Sequence, residues 1–281
     1  MKNCLKILII AFTCLTSMSC TQEKKIGLQL YSLRDDINTS GIEKVLDQVA
    51  EIGYSSIEIA GYADGLIYGL EPAEFKQMAN DKGLEVESSH MTGFFTDDPQ
   101  ADIDRWAVAI KHHAEIGVEY LVLSTLPWWG KTQYSDKDVD KVVNYFNEIG
   151  KMASENGLTF CFHNHNHAFN IKVGEKNLYT ILLERTNPKY VAMQMDVFWV
   201  DEAGYDPIDY LQRYAGRYPL LHIKDDNVIG DSGKLPFAEI FKAAYKQGMK
   251  TFFVEVEHYK NSPMQDVKES YEYLNNAKFV K

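Results

Sequence analysis

Cysteine is scarce in this chain. Four occur in 281 residues, and Cys4, Cys14 and Cys20 all fall within the first twenty positions. Cys161 is therefore the only thiol in the body, which excludes an intrachain disulfide there even in an oxidising compartment. Basic residues are also outnumbered, with 29 Lys and Arg against 40 Asp and Glu. A surface that acidic repels phosphate backbones, which argues against nucleic acid and, more weakly, against highly anionic ligands. No low-complexity or linker segment interrupts the chain, and no apolar run leads into a glycine-rich phosphate loop.

The first residues read as a leader rather than as part of the fold. Lys2 and Lys6 flank the short apolar run "LKILIIAFTCL", which is too short to span a membrane and ends in the small residues "TSMSC". Residues 1–20 are thus expected to be an export signal. Cys20, after Ser17-Met18-Ser19, is placed as the lipidated cysteine of a bacterial lipoprotein, although Ser17 stands where leucine is usual. The alternative is a plainly cleaved signal. Either reading puts the mature protein outside the cytoplasm, touching a membrane only through an N-terminal lipid. Without Lys2 and Lys6 the chain has 27 basic and 40 acidic residues, a net charge of −13.

From residue 25 to 281 the pattern repeats. Apolar runs of strand length occur at "KIGLQLYSL", "SSIEIAG", "EVESSHM", "EYLVLSTL", "TFCFHNHN", "VAMQMDVFW", "LLHIKD" and "TFFVEVEH". Helical periodicity lies between them, as in "GIEKVLDQVAEIG" and "DIDRWAVAIKHHAEIG". Gly53, Gly83, Gly117, Gly157, Gly216 and Gly248 each precede the next run and read as helix stops. Ser40 and Glu43 read as a capping box for the first helix. Eight strand-then-helix units predict a single closed parallel (β/α)8 barrel, with an open doubly wound sheet as the runner-up.

Such a barrel places its chemistry at the C-terminal ends of the strands. Alternation then sorts the residues there. Phe160 and Phe162 face the helices, so Cys161, His163 and His165 face inward, and strict alternation would carry His167 to the same side. By the same parity Gln194, Asp196, His222, Lys224, Glu255 and Glu257 point inward. Four consecutive strands therefore deliver His163, Asp196, His222 and Glu255 to one mouth. Two imidazoles and two carboxylates suit one divalent cation such as Mn²⁺, Co²⁺, Zn²⁺ or Fe²⁺. A hydrogen-bonded polar core is the alternative, but burying several ionisable groups without a counter-charge is costly.

The motifs "IGLQLYSLRD" (26–35), "FHNH" (162–165), "MDVFWV" (195–200), "HIKD" (222–225) and "FFVEVE" (252–257) together resemble the sugar phosphate isomerase/epimerase family, whose fold is the xylose isomerase-like TIM barrel. The resemblance runs from about residue 25 to the end. It implies a metal held by ligands from strands five to eight, with Asp196, His222 and Glu255 in the last three places. The first place is usually glutamate in the ketose epimerases and is His163 here, with His165 as the second choice. Only Glu255 remains of the epimerases' acid/base carboxylate pair. The resemblance further implies that Gln29, Tyr31 and Arg34 line a sugar-binding wall, with ordinary loop hydrogen bonding as the alternative.

Glu58 and His90 point inward on strands two and three, as substrate-binding or core-network groups. Trp128, Trp129 and Trp199 could stack on a sugar, Trp199 foremost because it follows Asp196 by three residues. His112 and His113 are expected to be surface or packing residues. The catalytic candidates are Glu255, Lys224 as oxyanion stabiliser or acid, and His165 as base. The expected activity is metal-dependent isomerisation or epimerisation of a non-phosphorylated sugar or keto-sugar, by proton abstraction next to a carbonyl through an enediolate. Elimination from a 3-keto-glycoside (lyase or hydratase chemistry) and a non-catalytic lipid-anchored sugar-binding protein are the competing readings.

Overall fold

The computed structural model describes residues 24–128 and 130–281; the leader with Cys20, and Trp129, lie outside the described residues. Strands β1 (Gly27–Gln29), β2 (Ser56–Ile59), β3 (Glu85–Met91), β4 (Tyr120–Leu123), β5 (Thr159–His163), β6 (Val191–Asp196), β7 (Leu220–Ile223) and β8 (Thr251–Val254) pair in parallel. They close into a barrel in chain order, with β1 bonded to both β2 and β8. Every strand thus has two neighbours, which rules out the open sheet.

Alternation along the strands makes two cores. Ile57, Phe160, Phe162, Met193, Leu221 and Val254 belong to the large core between barrel and helices. Tyr120, Val122, Cys161, Leu220 and Phe253 fill the barrel interior. The interior needs Gly27 beside Phe253. A Cβ at residue 27 would lie 2.5 Å from Phe253 Cδ1 and 2.9 Å from the Phe252 carbonyl oxygen. The lower barrel is thereby plugged with apolar side chains, and the polar residues collect above it.

The six expected helix stops all adopt positive φ, from 70° at Gly117 to 113° at Gly53. Among the described residues no helix is long and apolar enough to cross a membrane. At the closed end, where β1 begins, the Lys24 ammonium donates to the carbonyl oxygens of Asn275 and Ala277, both at 2.6 Å. These are the orphan acceptors at the end of helix Pro263–Asn276, where a cation is favoured.

Three local expectations are corrected. The first apolar run is strand only over Gly27–Gln29, because the Gln29 side chain accepts from the Tyr31 backbone N–H (2.9 Å) and starts a 3₁₀ turn, Leu30–Leu33. Ser40 ends helix Arg34–Ser40 instead of capping the next, since the chain is already helical from Arg34; helix Ile42–Ile52 starts at Gly41 (φ 83°) without a side-chain cap. A capping box forms elsewhere, between Ser135 and Asp138. Finally, the strand period of the histidine run ends at His163. His165 begins the short helix Asn166–Asn170, which carries His167 away from the strand direction.

Candidate metal centre at the barrel mouth

Register brings the polar residues together. β6 pairs with β5 so that Gln194 lies beside His163, and with β7 so that Asp196 lies beside His222. A register shift between Ile57 and Glu58 sets Glu58 opposite Ser88 on one side and Gln29 on the other. Just past β5, Asn164 continues the pairing with its amide: it donates to the Asp196 carbonyl oxygen and accepts from the Asp196 N–H, both at 3.1 Å.

The four residues singled out by parity converge. His163, Asp196, His222 and Glu255 each offer one ligand atom, all within 4.8 Å of one another, and all four are buried. His90, His163 and His222 form a second, overlapping group. The Asp196 Oδ1 atom accepts from the Trp199 N–H (3.0 Å), whereas its Oδ2 is buried without a hydrogen-bond partner and lies 4.0 Å from the Lys224 ammonium. A buried, unsatisfied carboxylate oxygen among imidazoles and a second carboxylate is a setting a divalent cation satisfies. The donor set fits such an ion.

The electrostatics agree. Burial pushes Asp196 up to about 7 although Lys224 pulls it down. Burial would lower His222, but Glu58 and Glu255 outweigh it and lift the ring to about 10. The two carboxylates thus favour positive charge at both nitrogens, Nδ1 3.1 Å from Glu255 and Nε2 2.6 Å from Glu58, and a cation bound at Nδ1 would take the place of the proton that faces Glu255. Burial also disfavours the charged carboxylates, yet Lys224 and His222 hold Glu255 well below its usual range, while His222 and His90 hold Glu58 down at about 2. Burial keeps His163 well below its usual value and His165 at about 3, so both are neutral imidazoles at physiological pH.

Two chambers open above the cluster and share His165. The smaller, about 290 Å³, is lined by Gln29, Tyr31, Tyr62, His90, Glu255 and Glu257 among others. The larger, about 590 Å³, includes Lys131, Thr132, His167, Asn170 and Trp199. Gln29, His90, His165 and Trp199 thus lie where a small ligand would contact them. Lys224 is buried, 2.5 Å from Glu257 and 3.4 Å from Glu255, with its ammonium 4.6 Å from the Trp199 ring centre. The structure places Glu58 beneath the cluster rather than on the substrate wall, because both its oxygens are filled by protein donors. Arg34 lines neither chamber; it holds Tyr259 (2.7 Å) and the Glu257 carbonyl oxygen (3.3 Å). Trp128 lines a separate surface cleft with Phe95 and Tyr145.

Sequence reasoning gave no role to Gln194, Ser88, Asn164 or Glu257. Parity marked Gln194 and Glu257 as inward, but the contacts that make them matter cross the barrel between residues distant in the chain.

Fold and cluster define a (β/α)8 barrel with a mixed histidine–carboxylate centre at the ends of β5 to β8. Residues 46–277 match the family of xylose isomerase-like TIM barrels, and the chain belongs to that family, as its motifs implied. A crystal structure of a sugar phosphate isomerase/epimerase from Parabacteroides distasonis ATCC 8503 is 32% identical with a TM-score of 0.84, covering 92% of this chain and 100% of that one. Inosose dehydratase from Geobacillus kaustophilus (strain HTA426) is 23% identical over 223 residues, 72% of this chain and 69% of that relative. D-Psicose 3-epimerase from Clostridium cellulolyticum H10, solved with D-tagatose, shares the fold at a TM-score of 0.71 and 16% identity, over 91% of this chain and 99% of that one.

Proposed function

We propose that this chain is a divalent-cation-dependent enzyme that moves a proton next to the carbonyl of a non-phosphorylated sugar or keto-sugar, as an isomerase or epimerase. The observation that carries the reading is the convergence of His163, Asp196, His222 and Glu255 beneath an open chamber. Relatives named as sugar epimerases and inosose dehydratases, on the same fold, support the substrate class. His163, Asp196, His222 and Glu255 would hold the ion, which when bound supplies Lewis-acid polarisation of a carbonyl. The donor set of two imidazoles and two carboxylates suits Mn²⁺, Co²⁺, Zn²⁺ or Fe²⁺.

The protein's own groups then divide the work. His165, neutral and shared by both chambers, is the base that can take a proton from a carbon held over Glu255. Lys224 carries positive charge against Glu255 and Glu257 and can stabilise negative charge developing on a substrate oxygen. Gln29, His90 and Trp199 orient the sugar.

The smaller chamber is lined by two carboxylates and no Lys or Arg, which disfavours a dianionic phosphate. Export through residues 1–20, with Cys20 as anchor, agrees with a substrate found outside the cytoplasm. Comparing kcat/KM for a sugar and its phosphate ester tests this, and a tenfold preference for the ester would sink the non-phosphorylated reading.

A second reading, elimination from a 3-keto-glycoside, is favoured by one feature. The 590 Å³ chamber beyond His165 gives room for a substituent on a sugar seated in the smaller one. Incubating cation-loaded protein in D₂O with keto-sugars and 3-keto-glycosides separates the two: deuterium in an intact epimer or isomer marks the first, loss of the aglycone the second. Tight sugar binding with neither would mark a binding protein.

A further inference from the structure

Glu58 accepts five hydrogen bonds while fully buried. Its Oε1 receives Gln29 Nε2 (2.7 Å), His90 Nδ1 (3.0 Å) and His222 Nε2 (2.6 Å). Its Oε2 receives Ser88 Oγ and Gln194 Nε2, both at 2.6 Å. A carboxylate has no proton to give, so every partner must donate. This fixes orientations that the partners alone would leave free.

His222 must carry its hydrogen on Nε2, which turns Nδ1 toward Glu255 and the centre of the cluster. Gln194 must point its NH₂ at Glu58, which turns its carbonyl oxygen toward His163 Nδ1 at 3.0 Å. That oxygen only accepts, so His163 carries its hydrogen on Nδ1 and presents Nε2. His90, donating through Nδ1, likewise presents Nε2. Gln29 is pinned at its other end by the Tyr31 N–H and cannot flip to relieve the arrangement.

We infer that Glu58 is a positioning residue: one carboxylate selects the ring nitrogen that His222 offers to the cation directly, and the one that His163 offers through Gln194. The inference rests on the cation reading given above. Outer-sphere partners of this kind set ligand tautomer and basicity, and their loss weakens cation affinity roughly 10–100-fold.

The test uses the full chain with Zn²⁺ as the probe. Affinity is measured by competition with a chromophoric chelator, and the protonated ring nitrogens by two-bond ¹⁵N–¹H spectra of ¹⁵N-histidine-labelled, Zn²⁺-loaded protein. The parent should show His222 protonated on Nε2 and His163 on Nδ1. Glu58→Gln should weaken affinity at least tenfold and blur both assignments. Gln194→Met, which leaves the buried carboxylate in place, should disturb His163 alone and weaken affinity less; it keeps the test open if Glu58→Gln does not fold. Zn²⁺ affinity and tautomers unchanged in either variant that folds would overturn the role of Glu58 while leaving the cation site intact. A parent chain that binds no divalent cation would instead overturn the cation reading, and this inference with it.

Discussion

Replacing Lys224 by methionine separates two effects that the structure ties together. The Lys224 ammonium is the main positive charge facing Asp196, Glu255 and Glu257, at 4.0, 3.4 and 2.5 Å. Methionine keeps the length and the apolar stem but leaves three carboxylates facing one another with only His222 to oppose them. Removing one partner of a buried ion pair costs about 3–5 kcal/mol. For a domain of this size that lowers Tm by on the order of 10 °C. The same change removes a cation beside the proposed ion, so divalent affinity should rise, by tenfold or more, since mutual repulsion at these distances exceeds about 1.4 kcal/mol.

The assay is thermal unfolding in chelator and in saturating Mn²⁺, with the affinity measured separately. The variant should be much less stable than the parent in chelator, and the gap should narrow by about 1.4 kcal/mol or more in the same saturating Mn²⁺, because a tenfold tighter Kd adds that much to the folded state. Turnover should nevertheless fall by roughly 10² or more, the scale for a lost acid or oxyanion group. Equal stability in chelator, or weaker cation binding, would refute this account of Lys224.

Protein purified without chelator should hold about one equivalent of transition metal by elemental analysis, and Asp196→Ala should lose it; full retention there, or retention in His222→Ala/Glu255→Ala, would rule the site out. His113 is buried against Tyr62, its Nδ1–H on the Ala109 carbonyl oxygen, and burial lowers it to about 4. Above pH 6.5 neither state binds the proton; between 6.5 and about 4 only the unfolded chain does, so stability falls with falling pH by about 3 kcal/mol over that window. His113→Leu should remove that part of the slope in denaturant titrations, and an unchanged slope would show that another group is responsible. Gly27→Ala should destabilise by about 1–3 kcal/mol, because the added methyl meets the Phe253 ring and the Phe252 carbonyl; an unchanged midpoint in urea would mean that the interior gives way freely.

Much of the barrel could be read before any coordinates. Eight apolar runs, punctuated by glycines that do take positive φ, are a local signal, and parity alone gathered His163, Asp196, His222 and Glu255. What parity cannot carry is height and partnership. Glu58 faces inward like Gln29, yet only the latter lines a chamber, because the register shift at Ile57/Glu58 and the partners at residues 88, 194 and 222 decide where its oxygens go. The histidine run shows the opposite limit. Alternation held through His163 and then failed, since a helix of only five residues, Asn166–Asn170, leaves too short a period to register. The hairpin joining Tyr62–Ala63 to Leu66–Ile67 was legible in principle from Asp64-Gly65, a pair suited to two successive positive-φ positions.

On the proposed Cys20 anchor, the clasp between Lys24 and the last turn of helix Pro263–Asn276 would set which way the molecule stands. Cys20 is four residues upstream of it, a reach of at most about 14 Å of extended chain. A lipid attached there would hold the barrel by its base, like a cup on a short stem, with the open rim turned to the aqueous side. The mouth that holds the histidine–carboxylate cluster would then be the face that meets solution.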